Sequence, residues 1–341
     1  MILPSGAEPA RRLPAAARRV APVATALVVI GTMVSTASAE PFLTRNQSPL
    51  LALYGLPSPL PARLPAAGGG RFAGVVNWSN AAKVDSTGDA TYTLDGEVFE
   101  LRLHFDHAIN ERFALHAELP WRRVSGGSLD GVIEDWHSVL GLPGGSRRRL
   151  PEDQLLIEYQ QGDATVLRIE DSSSGIGDIP IALGYQLHAT DQTALAAWLT
   201  VKAPVGNVDD LTGSGAADVA ATLAGLSRLD DRWHLFGQAT VAWLGEGDLL
   251  PDMQESLAWT LMGGLAWNAW RSLDVTAQVE ANSKIFDGTD TEFDGDAIVL
   301  TVGGSWRTAG GWRYDFGVSE DLQTGASPDV AFNLAVRRDY Q

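Results

Sequence analysis

Cysteine is missing from all 341 residues, so no disulfide can staple the fold, and a small disulfide-built secreted scaffold is excluded. After the N-terminal region no apolar run reaches the roughly eighteen residues that a membrane helix needs. Positive charge is also scarce: 25 basic residues against 42 acidic ones give a net charge of −17, which argues against a nucleic-acid partner. The acidic residues concentrate between the periodic segments, where a solvated surface is the ordinary explanation.

The N-terminus carries Arg11, Arg12, Arg18 and Arg19, then an apolar run from Val20 to Val34, then Ala37-Ser38-Ala39. A basic region, a short apolar region and a small-x-small signature predict a signal peptide over 1–39, exported through the Sec pathway and cleaved after Ala39. Its long basic region places the expected translation start downstream of Met1. Removal of these arginines leaves a still more acidic chain.

What is present is rhythm. Short polar breaks at His188–Gln192, Arg228–Arg232, Asn268–Arg271 and Thr308–Gly311 recur about every forty residues, each flanked by two alternating runs of about ten residues. About ten residues is the length a tilted strand needs to cross a bilayer. Leu273, Val275, Ala277, Val279 and Ala281 are apolar, while Asp274, Thr276, Gln278, Glu280 and Asn282 between them are polar. Trp312 to Ser319 and Val330 to Arg337 alternate in the same way, the sequence form of an outer-membrane strand.

The pattern predicts strands near 70–79, 97–106, 112–122, 177–187, 193–203, 217–227, 233–244, 256–267, 272–282, 297–307, 311–319 and 329–340. Tight turns, one of them at Ile109–Glu111, alternate with long connections at 80–96, 123–176, 204–216, 245–255, 283–296 and 320–328. The expected fold is therefore an all-β, transmembrane, antiparallel up-and-down barrel of about twelve strands over 70–341. Aromatics gather in two sets: Phe105, Phe113, Tyr185, Trp233, Trp267, Trp306, Trp312 and Tyr340 near the short turns, and Trp78, Trp121, Trp243 and Trp259 near the long loops. Two interfacial belts favour the barrel over a soluble sandwich, and strands of this length do not fit a propeller blade.

Residues 40–69 do not alternate. They hold Pro41, Pro49, Pro57, Pro59, Pro61 and Pro65 and end in Gly68-Gly69-Gly70, so this leader is no central strand. It is either a periplasmic leader or a plug folded into the lumen, and Leu50, Leu51, Leu53, Tyr54 and Leu56 lean towards the plug.

Three stretches, Arg45–Pro59 (RNQSPLLALYGLPSP), Gly126–Gly145 (GGSLDGVIEDWHSVLGLPGG) and Asp171–Leu187 (DSSSGIGDIPIALGYQL), carry a resemblance. With them the chain resembles an uncharacterised family of Gram-negative outer-membrane barrels known only as a domain of unknown function. Leu199–Gly206 and Leu211–Asp218 are more weakly similar to outer-membrane channels for aromatic-compound uptake. The resemblance implies a barrel in the Gram-negative outer membrane, in contact with lipid and lipopolysaccharide and inserted by the barrel-assembly machinery. It implies no activity. Such barrels usually finish on an aromatic residue; here Tyr340 is followed by Gln341, a departure not expected to abolish insertion.

In the long loop, Leu129, Val132, Ile133, Trp136, Val139 and Leu140 recur at helical spacing, with Ser128 to cap the helix and Gly141 and Pro143 to stop it. The apolar face packs on the loop's own hairpin, Leu155–Gln160 with Ala164–Ile169, forms a lid in which Leu129, Ile133, Trp136 and Leu140 cover the barrel mouth, or lies against lipid. Inside the barrel, folding the second and third strands about Asn110 sets Arg102 opposite Glu118 and His104 opposite His116. Two histidines are too few ligands, so no metal is expected, nor any other cofactor. The carboxylate-rich loop Asp287–Asp296 misses the EF-hand spacing and reads as solvated.

Arg102, His104, His116, Glu118, Lys202, Gln238, Gln278, Glu280 and Arg313 are the candidate lumen lining of a narrow passive channel for a small-molecule solute. The alternatives are a lipid-hydrolase barrel and a structural or adhesive barrel acting through loop 123–176. No catalytic residue is singled out: His104, His116 and His234 point inward, His107 and His188 lie at turns, and His137 is on the loop helix, so no strand histidine faces the acyl chains and only a lumenal triad stays open.

Overall fold

The computed structural model describes residues 40–131, 150–289, 291, 293, 295–323 and 326–341. Twelve of its strands form one closed ring. In chain order they are β1 (Gly70–Thr87), β2 (Ala90–Ala108), β3 (Phe113–Ser125), β7 (Ile179–Ala189), β8 (Thr193–Ala203), β9 (Asp218–Arg228), β10 (Trp233–Trp243), β11 (Leu257–Trp270), β12 (Leu273–Asn282), β13 (Ala297–Arg307), β14 (Trp312–Gln323) and β15 (Val330–Tyr340). Closure comes from antiparallel pairing of β1 with β15, from Gly70 opposite Tyr340 to Asn80 opposite Val330. A closed ring leaves no row of unpaired N–H and C=O groups along an edge.

Alternation decides which side chains face out. On β12 the even-numbered residues are buried, while Val275 and Val279 are exposed. The outward rows of the other strands, such as Leu199, Val201, Leu223, Val241, Leu261 and Leu334, are likewise exposed and apolar. Rings pair along the short-turn rim, with centroids 5.3 Å apart for Phe72–Phe105, 5.1 Å for Phe113–Tyr185, 6.0 Å for Trp233–Trp267 and 5.7 Å for Trp306–Tyr314.

Four of the five short turns share one device. Asn110 Oδ1 accepts from the N–H groups of Arg112 (2.8 Å) and Phe113 (2.9 Å), and Asp230 Oδ1 from those of Arg232 (2.7 Å) and Trp233 (2.8 Å). Thr190 and Thr308 Oγ1 accept likewise from the N–H groups of Thr193 and Trp312. A short polar side chain that satisfies the donors of the turn also fixes the register of the two strands it joins.

Two sequence expectations are corrected. Residues 80–96 are not a loop: β1 and β2 continue past the ring to a turn at Gly88, paired as far as Thr87 opposite Ala90. Tyr92, Thr93 and Leu94 are all buried, since the hairpin of β4 (Leu156–Gln161) and β5 (Ala164–Ile169) pairs with this extension. Its alternation, Thr91, Thr93 and Asp95 against Tyr92 and Leu94, is confined to the few residues between Gly88 and Gly96. Second, β2 and β3 pair two residues out from the expected register, with Arg102 opposite Pro120 and His104 opposite Glu118. The Asn110 cap draws Arg112 into the turn and moves its centre to Glu111.

The remaining short strand, β6 (Ser173–Ile176), extends the sheet beside β3. Of the loop-lid residues, Leu129 is buried and packs with Val330, Trp78, Val318 and Phe332. Its segment is anchored by the Glu97 carboxylate, which accepts from the N–H groups of Ser128 (2.8 Å) and Leu129. Ile133, Trp136 and Leu140 lie outside the described residues, as does His137.

Candidate functional site

The lumen holds the leader. An irregular segment enclosed by a barrel must find partners for every backbone polar group without a ladder of its own. Six prolines between Pro41 and Pro65 remove six of the donors, and inward side chains of the strands serve many of the remaining groups. Gln278 Oε1 accepts from Phe42 N–H (3.0 Å), Glu280 Oε1 from Asn46 N–H (2.8 Å), Asp218 Oδ2 from Gly55 N–H (2.8 Å), Gln238 Oε1 from Leu60 N–H (2.8 Å) and Gln186 Oε1 from Leu64 N–H (2.8 Å). Carbonyls are met by cations: Glu40 by Arg313 (3.1 Å), Pro41 by Arg337 (2.7 Å), Ala52 by Arg122 (3.0 Å) and Leu53 by Lys202 (3.2 Å).

These partners trace a path. The leader starts near the short-turn rim, where Glu40 pairs with Arg71 (2.9 Å), and rises along β12 past Gln278 and Glu280. It turns through a 3₁₀ segment at Leu51–Leu53 and descends past Gln238 on β10 and Gln186 on β7 to Gly70. At the top, Leu50, Leu51, Leu53, Tyr54 and Leu56 are buried in one apolar cluster with Tyr92 and Leu94 of β2, Ile157 of β4, and Phe286 and Phe293 from the connection between β12 and β13. The Arg45 guanidinium ties rising and returning limbs together, donating to the carbonyls of Ala52 (2.8 Å), Tyr54 (3.3 Å) and Leu56 (2.7 Å).

Space for the leader comes from small inward residues. Ala108, Ala114, Ala182, Ala196 and Ala224 line the wall beside Leu60 and Leu64. Gly184 matters for the same reason: a Cβ there would come within 2.6 Å of the Trp198 ring, whose Nε1 donates to Pro61 O (2.9 Å).

All nine candidate lumen residues are buried and inward-facing, and the structure draws most of them onto the leader. Three ionic groups organise them. Arg102 donates to Glu118 Oε2 (2.6 Å), Glu100 Oε1 (2.7 Å) and Ser58 Oγ (2.8 Å), and Arg122 pairs with the other Glu100 oxygen (2.8 Å). Glu118 also meets His116 Nε2 (3.1 Å), whose Nδ1 lies 2.8 Å from Asp106 Oδ1. Lys202 is gripped by Asp178, Asp218 (3.2 Å) and Ser214 Oγ (2.6 Å). Arg313 and Arg337 share Asp315, at 2.9 and 2.5 Å. The Arg102–Glu118 pair thus forms diagonally despite the shifted register.

Glu40, Arg45, Ser58, Glu100, Arg122, Asp178, Gln186, Asp218, Asp315 and Arg337 join the site without having been singled out from sequence. Those on strands were findable by their inward parity, whereas those on the leader carry no periodic signal. A further correction concerns His107. β2 runs on to Ala108, so this histidine stands within a strand on its outward row, stacked on the Tyr340 ring at 6.4 Å. Its hydroxyl neighbour is Tyr340 (3.4 Å), and that of His188, also within a strand, is Thr193 (2.9 Å).

Residues 19–340 match the model of a family described as "Protein of unknown function (DUF3187)". The chain belongs to this family. No protein with a curated description matches it. Among solved structures it is similar to the COG4313 outer membrane channel from Pseudomonas putida F1, at a TM-score of 0.55 and 15% identity over 83% of this chain and 99% of that one. More distant are the KdgM porin in complex with disordered oligogalacturonate (TM-score 0.43, 9% identity, 80% and 99% covered) and the Pseudomonas putida toluene transporter TodX (TM-score 0.36, 10%, 81% and 89%). What this member of the DUF3187 family shares with the COG4313 channel is the fold.

Proposed function

We propose that the protein is an outer-membrane channel for small molecules whose lumen is closed by its own leader. The carrying observation is the combination of an apolar outer wall with a lumen in which polar side chains grip an irregular segment, rather than each other alone. A barrel built only for rigidity needs no such segment, because paired or packed side chains fill a narrow lumen. The leader is held by hydrogen bonds, the ion pairs of Glu40 and apolar contacts at its head and at Leu60 and Leu64, a set that can be released without opening the ring of strands.

Export by the Sec pathway, insertion by the assembly machinery and contact with lipid and lipopolysaccharide fit the N-terminal segment and the two aromatic belts. The reading is non-enzymatic: His107 and His188, the exposed strand histidines, neighbour Tyr340 and Thr193 rather than a serine with an orienting carboxylate. Passage of solute requires the leader to move, and the charged lumen residues it uncovers make the exposed bore polar.

Planar-bilayer recording of the refolded chain beside a variant lacking 41–66 tests this. The parent should show rare, brief openings and the deletion a steady, larger conductance. Equal currents, or none from the deletion variant while it migrates as a folded barrel, would overturn the proposal.

A further inference from the structure

Beneath the returning limb of the leader, β2 and β3 bring two imidazoles and a carboxylate to one point. The ligating atoms of His104, His116 and Glu118 all lie within 4.8 Å of one another, and all three residues are buried. Glu118 Oε1 is 3.1 Å from His116 Nε2 and 3.6 Å from His104 Nδ1, close to the roughly 3.4 Å that separates ligand atoms around a tetrahedral ion with bonds of about 2.0–2.1 Å. The other Glu118 oxygen is held by Arg102 at 2.6 Å, which leaves Oε1 free to turn towards the histidines.

Two observations point beyond an ordinary ionic cluster. His104 is 2% exposed, yet neither ring nitrogen makes a hydrogen bond, an expensive state for a buried polar ring. His116 has the opposite arrangement: Asp106 takes its Nδ1 at 2.8 Å, fixing the ring with Nε2 towards Glu118, the carboxylate–histidine support that metal-ligating imidazoles use. An imidazolium at His116 bridging Asp106 and Glu118 would account for His116 alone and leave His104 without a role.

We propose that His104, His116 and Glu118 form a binding site for a divalent transition metal of the zinc class, with Asp106 orienting His116. Two nitrogens and one carboxylate suit zinc, whereas calcium and magnesium take oxygen ligands. A fourth ligand has room: a cavity of about 40 Å³, lined by His104, Asp106, His116, Leu60 and Arg71, adjoins the rings and is large enough for a water. Binding at Nε2 replaces the proton that a protonated His116 offers to Glu118, which is released to solvent, while the Nδ1 proton stays with Asp106. Because Ser58 of the leader bonds Arg102 and lies 3.5 Å from Glu118, the site sits directly under the leader.

The test uses the full chain, refolded in detergent, stripped with a chelator and titrated with Zn²⁺ alone by calorimetry. One saturable equivalent is expected. His104→Gln should abolish it, Asp106→Asn should weaken it by about 10–100-fold, and His234→Gln should leave it unchanged. His234 is the fitting control, being another buried histidine without hydrogen bonds, and it lies outside the cluster. Cobalt substitution gives a second readout independent of any variant: intense visible bands report a nitrogen-containing four-coordinate site. No saturable zinc, weak octahedral-type cobalt bands, unchanged affinity in a folded His104→Gln protein, or equal loss in His234→Gln would each overturn the assignment. None of these readouts depends on conductance.

Discussion

Replacing Leu53 and Leu56 by alanine should release the leader while the barrel stays closed. Both side chains are buried at the top of the lumen, in the cluster that also holds Tyr54, Tyr92, Leu94, Phe286 and Phe293. Truncating one buried leucine costs about 2–5 kcal/mol, from lost transfer energy and the cavity left behind. Turning a population from 99:1 to 1:99 takes about 5.5 kcal/mol. One substitution should therefore give flickering currents, whereas two, at about 4–10 kcal/mol before coupling between neighbours, should bring open and closed states near balance or beyond. The strand ladders are untouched, because neither residue belongs to one. Single-channel recording measures the open fraction, and migration of unboiled protein on a gel reports the barrel. If the double variant conducts like the parent while deletion of 41–66 opens the channel, the apolar head is not what holds the leader, and the polar contacts must dominate.

Two further outcomes follow from local geometry. Gly127 sits at φ +81°, and a Cβ there would lie 1.8 Å from Glu97 Cδ, so Gly127→Ala should displace the carboxylate that anchors Ser128 and Leu129. Glu97→Gln should share the phenotype, faster amide exchange at those residues with an intact barrel; protection as in the parent would refute the anchoring role. At the turn before β10, the N–H groups of Arg232 and then Trp233 hold the Asp230 carboxyl below its ordinary value. That contribution is present above the unfolded-state value and fades as pH falls through the depressed one. The stability difference between the parent and Asp230→Asn in urea titrations should therefore shrink in acid, and a difference independent of pH would exclude this origin.

The ring of strands was legible in the sequence because an apolar outer wall and a polar lumen impose a two-residue period on every strand of the ring. Leu273 to Asn282 is the plainest case, and inward parity alone picked out Lys202, Gln278, Glu280 and Arg313. The β1–β2 extension was less legible because its alternation, Thr91, Thr93 and Asp95 against Tyr92 and Leu94, runs only a few residues between Gly88 and Gly96. The β2–β3 register escaped because one side chain, Asn110, chooses which residues belong to the turn. Composition made the leader too apolar for a free linker, but its route belongs to the tertiary structure. Phe42 meets Gln278 across 236 positions of sequence, and a chain whose backbone is satisfied by distant side chains carries no period of its own. The same holds for His104, His116 and Glu118: sequence placed each on an inward row, and only the folded pairing of β2 with β3 set the carboxylate between the two rings.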